Sequence, residues 1–313
     1  MFCRFPDDVL CIQPYDAWVG YQSPQRKDRV NLIETAMRDA RWTDEWGTQW
    51  AHAFGGVGAT PVAWPLQDWS QLDEYLAHRM PDPCAPGRLD AALPFLYAHG
   101  KTKYCVGLIH LTLFERMHSL RGMENLFMDF YTNEREVDRL AEAVADYQME
   151  VIRGWGRTGV DAVFLTDDWG TQTSLMISVE MWEKYFAKHY RRLFDQAHDC
   201  GMDVMFHSCG NVMAIVANLI DLGVDVIDPI QPGAMDVDEV ARRFGGRVAF
   251  LGGINDQLLA SYSPAQIRDV VRKTIDTLGR PFANAYVVAA ANVMTPEIPF
   301  ENLEALFNAC HEQ

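Results

Sequence analysis

The chain has 313 residues, of which 27 are Lys or Arg and 43 are Asp or Glu, and its formal net charge is −16. This charge repels phosphate backbones and anionic lipid surfaces, so nucleic acids and membranes are excluded as expected partners. Apolar residues make up 49% of the chain, which is enough for a large core. The length fits a single barrel domain of about 250 residues with extensions.

The cysteine pattern and the N-terminal sequence predict a cytoplasmic location. The seven cysteines are odd in number and scattered, without the paired spacing of a disulfide framework. The segment Met1–Asp8 lacks the basic-then-apolar order of a signal peptide, and no apolar run reaches the roughly 18 residues that span a bilayer.

The first hundred residues are less regular than the rest. We expect a strand at Val9–Gln13, a helix from about Arg26 to Arg38, and a Pro-rich surface connection at Met80–Gly87. Residues 1–100 are predicted to form an irregular N-terminal part of one domain that spans residues 1–313.

From about residue 100, short β-rich runs alternate with helical-period stretches, which is typical of repeated βα units around a parallel sheet. The fold class predicted from this pattern is α/β, a (βα)8 TIM barrel. The predicted strands are Tyr104–Leu111, Ala162–Thr166, Asp203–His207, Val224–Ile227, Val248–Leu251 and Tyr286–Ala290. The predicted helices include Glu134–Arg153, Val179–Cys200, Pro264–Leu278 and Phe300–Cys310.

A polar or small-residue segment follows most of these strands. Because the carboxyl ends of parallel barrel strands emerge at one rim, we expect these segments to converge on an active site. They are Thr166–Gly170, His207–Asn211, Asp228–Pro232, Gly252–Asp256 and Ala291–Val293.

His207 and Cys209 flank one residue at a strand end, so their side chains point to the same side of the chain. An imidazole and a thiolate suit zinc. A satisfied histidine beside an inert cysteine is an equally good interpretation of this pair alone. Gly210 and Asn211 are predicted to form a turn that begins a helix, whose N–H groups hold a substrate oxyanion or carboxylate.

Asp167 and Asp168 follow a strand and are adjacent. Neighbouring carboxylates can raise one another's pKa and act as general acid or base, although a turn pair or helix cap is the structural alternative. Trp169 beside them favours an aromatic pocket wall.

A second association of carboxylate and aromatic side chains occurs at Asp44 and Trp46, with core packing as the alternative. His110 lies near a strand end, either at the rim or in the core. Arg116 and Arg121 belong to the only dense cationic segment that follows a strand, and either can neutralise an acidic substrate group.

Six segments, in register over nearly the whole chain, resemble the uroporphyrinogen decarboxylase superfamily, in particular its methyltransferase-like branch. They are Asp44–Gly47, Leu113–Gly122, Asp167–Gln172, Phe206–Asn211, Leu251–Asn255 and Pro296–Asn302. The resemblance implies a (βα)8 barrel and two chemistries. One is cofactor-free decarboxylation of porphyrinogen acetate groups. The other is methyl transfer, in which zinc activates a thiol such as coenzyme M or homocysteine to attack a methyl group on a corrinoid protein or a folate.

The chain departs from both patterns. The decarboxylase signature Arg-Gln-Ala-Gly-Arg is absent. Asn292 stands where the family has its late catalytic His, and Asp168 stands where the family has the Ser of its Asp-Ser motif. Asp44 matches the family's central aspartate. The methyltransferase pattern keeps His207 and Cys209 as zinc ligands. Its other two ligands fall at Asn292 and Gln231, and amide oxygens are weak zinc ligands.

Three outcomes are compatible with this incomplete ligand set. In the first outcome, zinc binds and Asp168 or Asp228 completes the ligand set. In the second, the site holds no metal, Asp167 or Asp168 acts as general acid and base, and amide side chains orient a small polar substrate. In the third outcome the barrel is a non-catalytic ligand binder.

The leading prediction is a methyltransferase acting on a small methylated compound or on a methyl-corrinoid partner, with the corrinoid arriving on a separate protein. A decarboxylase or lyase of a smaller acid is the runner-up, and a homodimer is compatible with either. The predicted catalytic residues are Asp44, Asp167, Asp168 and Asn292. The predicted substrate-binding residues are Trp46, Trp169, His110, Arg116 and Gln231, and the predicted metal ligands are His207 and Cys209.

Overall fold

A computed structural model describes residues 7–16, 18–23, 29–31, 39–53 and 58–312. The helix predicted from about Arg26 to Arg38 lies mostly outside these residues, and its described part, residues 29–31, is not helical. No helix in the described ranges is long and apolar enough to cross a membrane.

The strands of the described residues come in chain order as follows. They are β1 (Val9–Ile12), β2 (Ala40–Thr43), β3 (Gln49–His52), β4 (Thr60–Ala63), β5 (Tyr104–Ile109), β6 (Ala162–Thr166), β7 (Asp203–His207), β8 (Val226–Ile230), β9 (Ala249–Ile254) and β10 (Tyr286–Ala290).

The α-helices alternate with the later strands. They are α1 (Leu72–His78), α2 (Leu93–His99), α3 (Phe114–Arg121), α4 (Met123–Thr132), α5 (Glu134–Gly156), α6 (Val179–Trp182), α7 (Lys188–Asp199), α8 (Val216–Leu222), α9 (Val237–Phe244), α10 (Asp256–Leu259), α11 (Pro264–Leu278) and α12 (Phe300–His311). A π-helical turn, Glu183–Ala187, joins α6 to α7.

The observed strands agree closely with the sequence prediction. β6, β7 and β10 have the predicted bounds, while β8 and β9 are shifted towards the C-terminus by a few residues. The sequence predicted a helix that begins at Gly210 and Asn211. This prediction is wrong, because α8 begins only at Val216. A further difference is the antiparallel sheet β2-β3-β4, which the sequence pattern did not predict.

The chain divides into two compact units. The first unit comprises Asp8–Asp167 and Glu180–Asp203. It holds the parallel strands β1, β5 and β6 in that spatial order, and the antiparallel sheet β2-β3-β4. Apolar residues spaced three and four apart give α5 a buried face that packs against α7.

A glycine lets α5 approach the sheet of the first unit. A Cβ atom at Gly107 on β5 would lie 2.4 Å from the indole ring of Trp155, which is itself buried. Only glycine leaves room for this ring, so the large aromatic core of the first unit depends on this position.

The second unit comprises Met1–Asp7, Asp168–Val179 and Val204–Gln313. It holds β7, β8, β9 and β10 as consecutive parallel neighbours. Its core is a cluster of aliphatic side chains from β9 and the helices α10, α11 and α12. A capping box formed by Ser263 and Gln266 begins α11 by satisfying free N–H groups of the first turn.

Candidate active site

His207 and Asp228 form the centre of a polar cluster in the second unit. His207 ends β7, and Asp228 lies opposite it on β8 in the parallel register. The Nδ1 atom of His207 is 2.5 Å from Oδ2 of Asp228, and its Nε2 atom is 3.3 Å from the Sγ of Cys209. Asp228 therefore fixes the imidazole ring so that Nε2 is directed to the thiol.

The electrostatics of this pair favour a proton on Nδ1. Burial alone lowers the pKa of His207, but the hydrogen bond to Asp228 and the neighbouring Cys209 more than offset this, so the pKa lies well above the ordinary value. This raised pKa favours the imidazolium, in which both ring nitrogens carry a proton. The Nδ1–H group donates to the carboxylate, and a metal would bind at Nε2 by displacing its proton.

Asp168 completes a group of three ligand atoms with His207 and Cys209. Its Oδ1 accepts a hydrogen bond from the backbone N–H of Cys209 at 2.8 Å and lies 3.6 Å from Nε2 of His207. One ligand atom from each residue lies within 4.8 Å of the others. These three side chains can therefore hold a metal ion together.

Close backbone packing keeps Asp168 beside Cys209. A Cβ atom at Gly170 would lie 2.4 Å from the carbonyl oxygen of Cys209 and 2.7 Å from the backbone nitrogen of Asn211. Gly210, with a φ of +83°, packs against Gly170 from the other side. This glycine pair lets the segment after β6 cross the segment after β7.

The backbone N–H groups after β7 are not available for a substrate oxyanion, contrary to the sequence interpretation. That of Cys209 donates to Asp168, that of Gly210 to Oε1 of Gln231 at 2.7 Å, and that of Asn211 to the carbonyl oxygen of Thr171 at 2.7 Å. Each donor is occupied within the protein.

The two amide side chains predicted near the cluster occupy different positions. Gln231 uses its Oε1 to hold the Gly210 loop. Asn292 is exposed at the end of β10, and its Nδ2 lies 4.0 Å from the Sγ of Cys209. Trp169 is 0% exposed, so its ring lies in the interior rather than along an open pocket wall.

Asp167 lies in the first unit and is 0% exposed. It accepts hydrogen bonds from three consecutive backbone N–H groups at the start of α3 and from the hydroxyl of Tyr190 at 2.5 Å. Burial raises its pKa to about 6, partly offset by these hydrogen bonds. Burial and hydrogen bonds are therefore the main causes of this pKa, and the catalytic role of Asp167 stays a prediction.

Four predicted residues, Asp44, Trp46, His110 and Arg116, lie together in the first unit. The last three line, together with Glu45, a narrow cleft with a volume of about 30 Å³. Asp44 lies behind this wall and accepts hydrogen bonds from the backbone N–H groups of Trp46 and Thr48, from the indole of Trp50 and from Arg116. Burial raises the pKa of Asp44, and Arg116 acts in the opposite direction.

Arg88, the partner of Glu45, was not predicted from the sequence. Both Nη atoms of Arg88 donate to the Glu45 carboxylate, at 3.0 and 2.7 Å, and Arg88 is 4% exposed. Arg88 follows a Pro-rich surface segment, and nothing in the local pattern marks it as buried.

The family model described as uroporphyrinogen decarboxylase (URO-D) matches residues 111–313. The chain belongs to this family. The uroporphyrinogen decarboxylase of Hahella chejuensis is 27% identical over 176 residues, covering 56% of this chain and 47% of the relative. That of Methylococcus capsulatus is 28% identical over 179 residues, with the same coverage. This URO-D family chain thus spans about half the length of the curated relatives it matches.

A solved structure with the same fold is a methyltransferase from Methanosarcina mazei. It is 13% identical to this URO-D family member, with a TM-score of 0.68 over 86% of this chain and 76% of that chain. At this identity the likeness concerns the fold alone. Together with the family match, it confirms the predicted (βα)8-barrel fold class.

Proposed function

We propose that this chain is a zinc-dependent methyltransferase that transfers a methyl group from a small methylated compound, or from a methyl-corrinoid partner protein, to a thiol. The observation that carries the proposal is the group formed by Asp168, His207 and Cys209. Membership of the URO-D family and a fold shared with a protein described as a methyltransferase support the reaction class.

The donor set fits zinc. One imidazole nitrogen, one thiolate and one carboxylate are all zinc ligands, and three protein ligands leave the fourth tetrahedral position for substrate, as in catalytic sites. His207 would hold the metal through Nε2, with Cys209 and Asp168 as the anionic ligands. When bound, zinc lowers the pKa of a substrate thiol at the open position and so supplies a nucleophile at neutral pH.

The chain's own residues keep these ligands in place. Asp228 holds the imidazole of His207, the arrangement by which a carboxylate orients a metal-binding histidine. The backbone N–H of Cys209 holds Asp168 in turn. Gln231 fixes the adjacent loop through Gly210 and acts as a positioning residue rather than as a ligand.

Asp168 supplies a negatively charged ligand, which the neutral amides of Gln231 and Asn292 do not. The resemblance places further zinc ligands at Gln231 and Asn292, but the oxygen of Gln231 is engaged by a backbone N–H, and Asn292 presents its amide nitrogen to Cys209. The exposed position of Asn292 also allows contact with substrate.

The three side chains are also arranged like a catalytic triad, with Cys209 as nucleophile, His207 as base and Asp228 as the acid that orients the base. Acyl transfer by such a series needs free N–H donors for the oxyanion. The donors of Cys209, Gly210 and Asn211 are all engaged, so a metal-binding role is favoured over acyl transfer.

A decarboxylase or lyase acting on a smaller acid without a cofactor is the second candidate. The observation in its favour is the sequence match to uroporphyrinogen decarboxylases. It differs from the first candidate in needing no metal, so the two are separated by the experiments below.

Zinc binding is tested by loading the purified protein with zinc, removing excess, and measuring zinc and protein by mass spectrometry. We expect one equivalent in the wild type, retention in the control Cys84→Ser, and loss in Cys209→Ser. In cobalt-substituted protein, the sulfur-to-cobalt absorption band should disappear in Cys209→Ser and persist in weakened form in Asp168→Asn. A wild type without stoichiometric metal, or a Cys209→Ser variant that binds it unchanged, contradicts the proposal.

Activity is tested with methylcobalamin as methyl donor and coenzyme M or homocysteine as acceptor, with methylated thiol detected by mass spectrometry. We expect product with zinc-loaded protein and none with the chelated protein. Release of carbon dioxide from small carboxylic acids by the chelated protein, without thiol methylation, would instead establish the decarboxylase.

A further inference from the structure

A cavity with a volume of about 230 Å³ lies beside helix α11 in the second unit. Its lining comes mainly from α9, α10, α11 and the end of β9. Four of the residues that α11 contributes are spaced three or four apart and therefore lie on one face of the helix. They are Ile267, Val270, Thr274 and Thr277. The cavity shares no lining residue with the proposed zinc ligands.

The inner wall of this cavity is aliphatic. Ile254, Leu259 and Ile267 line it, and none of them is more than 2% exposed. Thr274 adds no free donor there, because its hydroxyl donates to the carbonyl oxygen of Val270 at 2.9 Å. A wall of this kind offers water few hydrogen-bond partners, so an apolar molecule binds against it with a favourable free energy.

The elements around the cavity are fixed by contacts of their own. The buried amide of Asn302 donates at 2.7 Å to the carbonyl oxygens of Leu259 and Tyr262, which holds the turn between α10 and α11. On the side of β9, a Cβ atom at Gly253 would lie 2.7 Å from Cγ2 of Thr274, so strand and helix are already in contact there. The space between these elements is therefore formed without a ligand, as in most small-molecule pockets.

The charged residues of the lining favour an uncharged ligand. Asp238 on α9 and Lys273 on α11 are exposed, and their charges cancel. The net charge of the chain is −16, so its overall field does not attract anions either. Burying an ion against the aliphatic wall costs free energy, and a neutral molecule avoids this cost.

The volume of the cavity sets the size of its ligand. A cavity of about 150 Å³ lined by aliphatic and aromatic side chains is enough to hold benzene, so this larger one has room for a substituted six-membered ring. We infer that the cavity between α9, α10 and α11 binds an uncharged, largely apolar small molecule that contains one such ring. Asn255 and Tyr262 also line the cavity and can donate hydrogen bonds to a single oxygen substituent of this ligand.

The probe is acetophenone, a neutral ring with one carbonyl oxygen, and sodium benzoate is its charged counterpart of similar shape. Carbon-13 NMR of the full chain with labelled leucine and valine methyl groups, in the presence of a chelator, follows the signals of Leu258 and Val270. Leu258→Met and Val270→Ile assign these signals. We expect saturable shifts of both signals with acetophenone, and an affinity for benzoate that is at least tenfold lower.

Val270→Trp tests the location, since the larger side chain fills the cavity from α11. We expect its acetophenone affinity, measured on the Leu258 signal, to fall at least tenfold. Val293→Trp is the matched control, at a residue that is 56% exposed and outside the lining, and it should bind acetophenone like the wild type. If Val270→Trp does not fold, Leu258→Trp at the exposed edge of the cavity serves instead, with the Val270 signal as the readout.

Three results overturn the inference. They are no saturable response in the wild type, unchanged acetophenone affinity in the folded blocking variant, and equal affinities for benzoate and acetophenone. Because zinc is chelated throughout and methyl transfer is not measured, each of these results is independent of the proposed methyltransferase activity.

Discussion

His207 and Asp228 face each other across two adjacent parallel strands, with Nδ1 and Oδ2 2.5 Å apart. This contact determines which ring nitrogen remains for a ligand. Since Nδ1 faces the Asp228 carboxylate, Nε2 is the ring nitrogen directed to the side of Cys209 and Asp168, where a metal would displace its proton. The register of β7 and β8 therefore sets the chemistry of the cluster.

Replacing Asp228 by Asn should weaken zinc binding about 10- to 100-fold, the effect typical of losing a carboxylate that orients a metal-binding histidine. The asparagine keeps the shape but not the charge that makes the ring a better ligand. Zinc affinity is measured by competition with a coloured chelator. Asp221→Asn, at an exposed residue that pairs with Arg247, is the control and should have no effect. Equal affinities for the wild type and Asp228→Asn would show that Asp228 does not support the ligand.

Gly170→Ala should damage the cluster without altering any of its side chains. The added methyl group would meet backbone atoms of Cys209, Gly210 and Asn211 at 2.4 to 2.7 Å, and backbone cannot move aside as a flexible side chain can. We expect a loss of about 1–3 kcal/mol in the free energy of unfolding and weaker zinc binding. Urea denaturation and zinc competition measure the two effects.

The control for this glycine is Gly154→Ala on helix α5, where the nearest contact is a side-chain methyl group of Leu89 at 3.3 Å. Alanine favours helix, so this variant should retain or gain stability. A Gly170→Ala protein as stable as this control, with normal zinc affinity, would mean that the two crossing segments can separate without consequence.

Local sequence patterns predicted the short strands and which neighbouring side chains share one side of the chain. β6, β7 and β10 are short apolar runs bounded by polar residues, and their bounds were confirmed. The same-side arrangement of His207 and Cys209 follows from the two-residue period of an extended chain. The same period does not place Asp167 and Asp168 on one side: Asp167 accepts from the backbone at the start of α3, and Asp168 accepts from Cys209.

The remaining features depend on contacts that the sequence does not encode locally. The role of Asp228 requires the register between two strands, and that of Gln231 requires the loop geometry around Gly210. The antiparallel sheet β2-β3-β4 lacks a two-residue Asn-Gly or Asp-Gly turn that would have revealed it. Arg116 and Arg121 looked equivalent in sequence and differ only in which of their donors are engaged.

Asp167→Ala should destabilise the protein because it removes the acceptor of four buried donors. We expect a loss of about 3 kcal/mol or more in the free energy of unfolding, and about 1 kcal/mol for Tyr190→Phe, which removes one of these hydrogen bonds. Urea denaturation measures both. The exposed Asp195→Ala should change stability by less than about 0.5 kcal/mol. An Asp167→Ala protein of normal stability that has lost activity would instead support the catalytic role predicted from sequence.

His189 on α7 should make the protein sensitive to mild acid. Its side chain is 0% exposed, and its ring nitrogens make no hydrogen bond to the described residues, while Nδ1 lies 3.7 Å from a carboxylate oxygen of Glu142. Burial, followed by the nearby Lys188 and Arg192, lowers its pKa to about 4 from the ordinary 6.5. The unfolded chain therefore takes up the proton at a higher pH than the folded protein.

The sign of the effect follows from this difference. Stability due to neutral His189 is fully present above pH 6.5 and is lost as the pH falls towards 4, to a total of about 3 kcal/mol. His189→Phe keeps an aromatic ring without a titrating group, so its unfolding free energy should fall less between pH 7 and pH 4 than that of the wild type. His78→Phe, at an exposed position, should leave the wild-type pH dependence intact. Parallel pH profiles for His189→Phe and the wild type would assign the acid sensitivity to other groups.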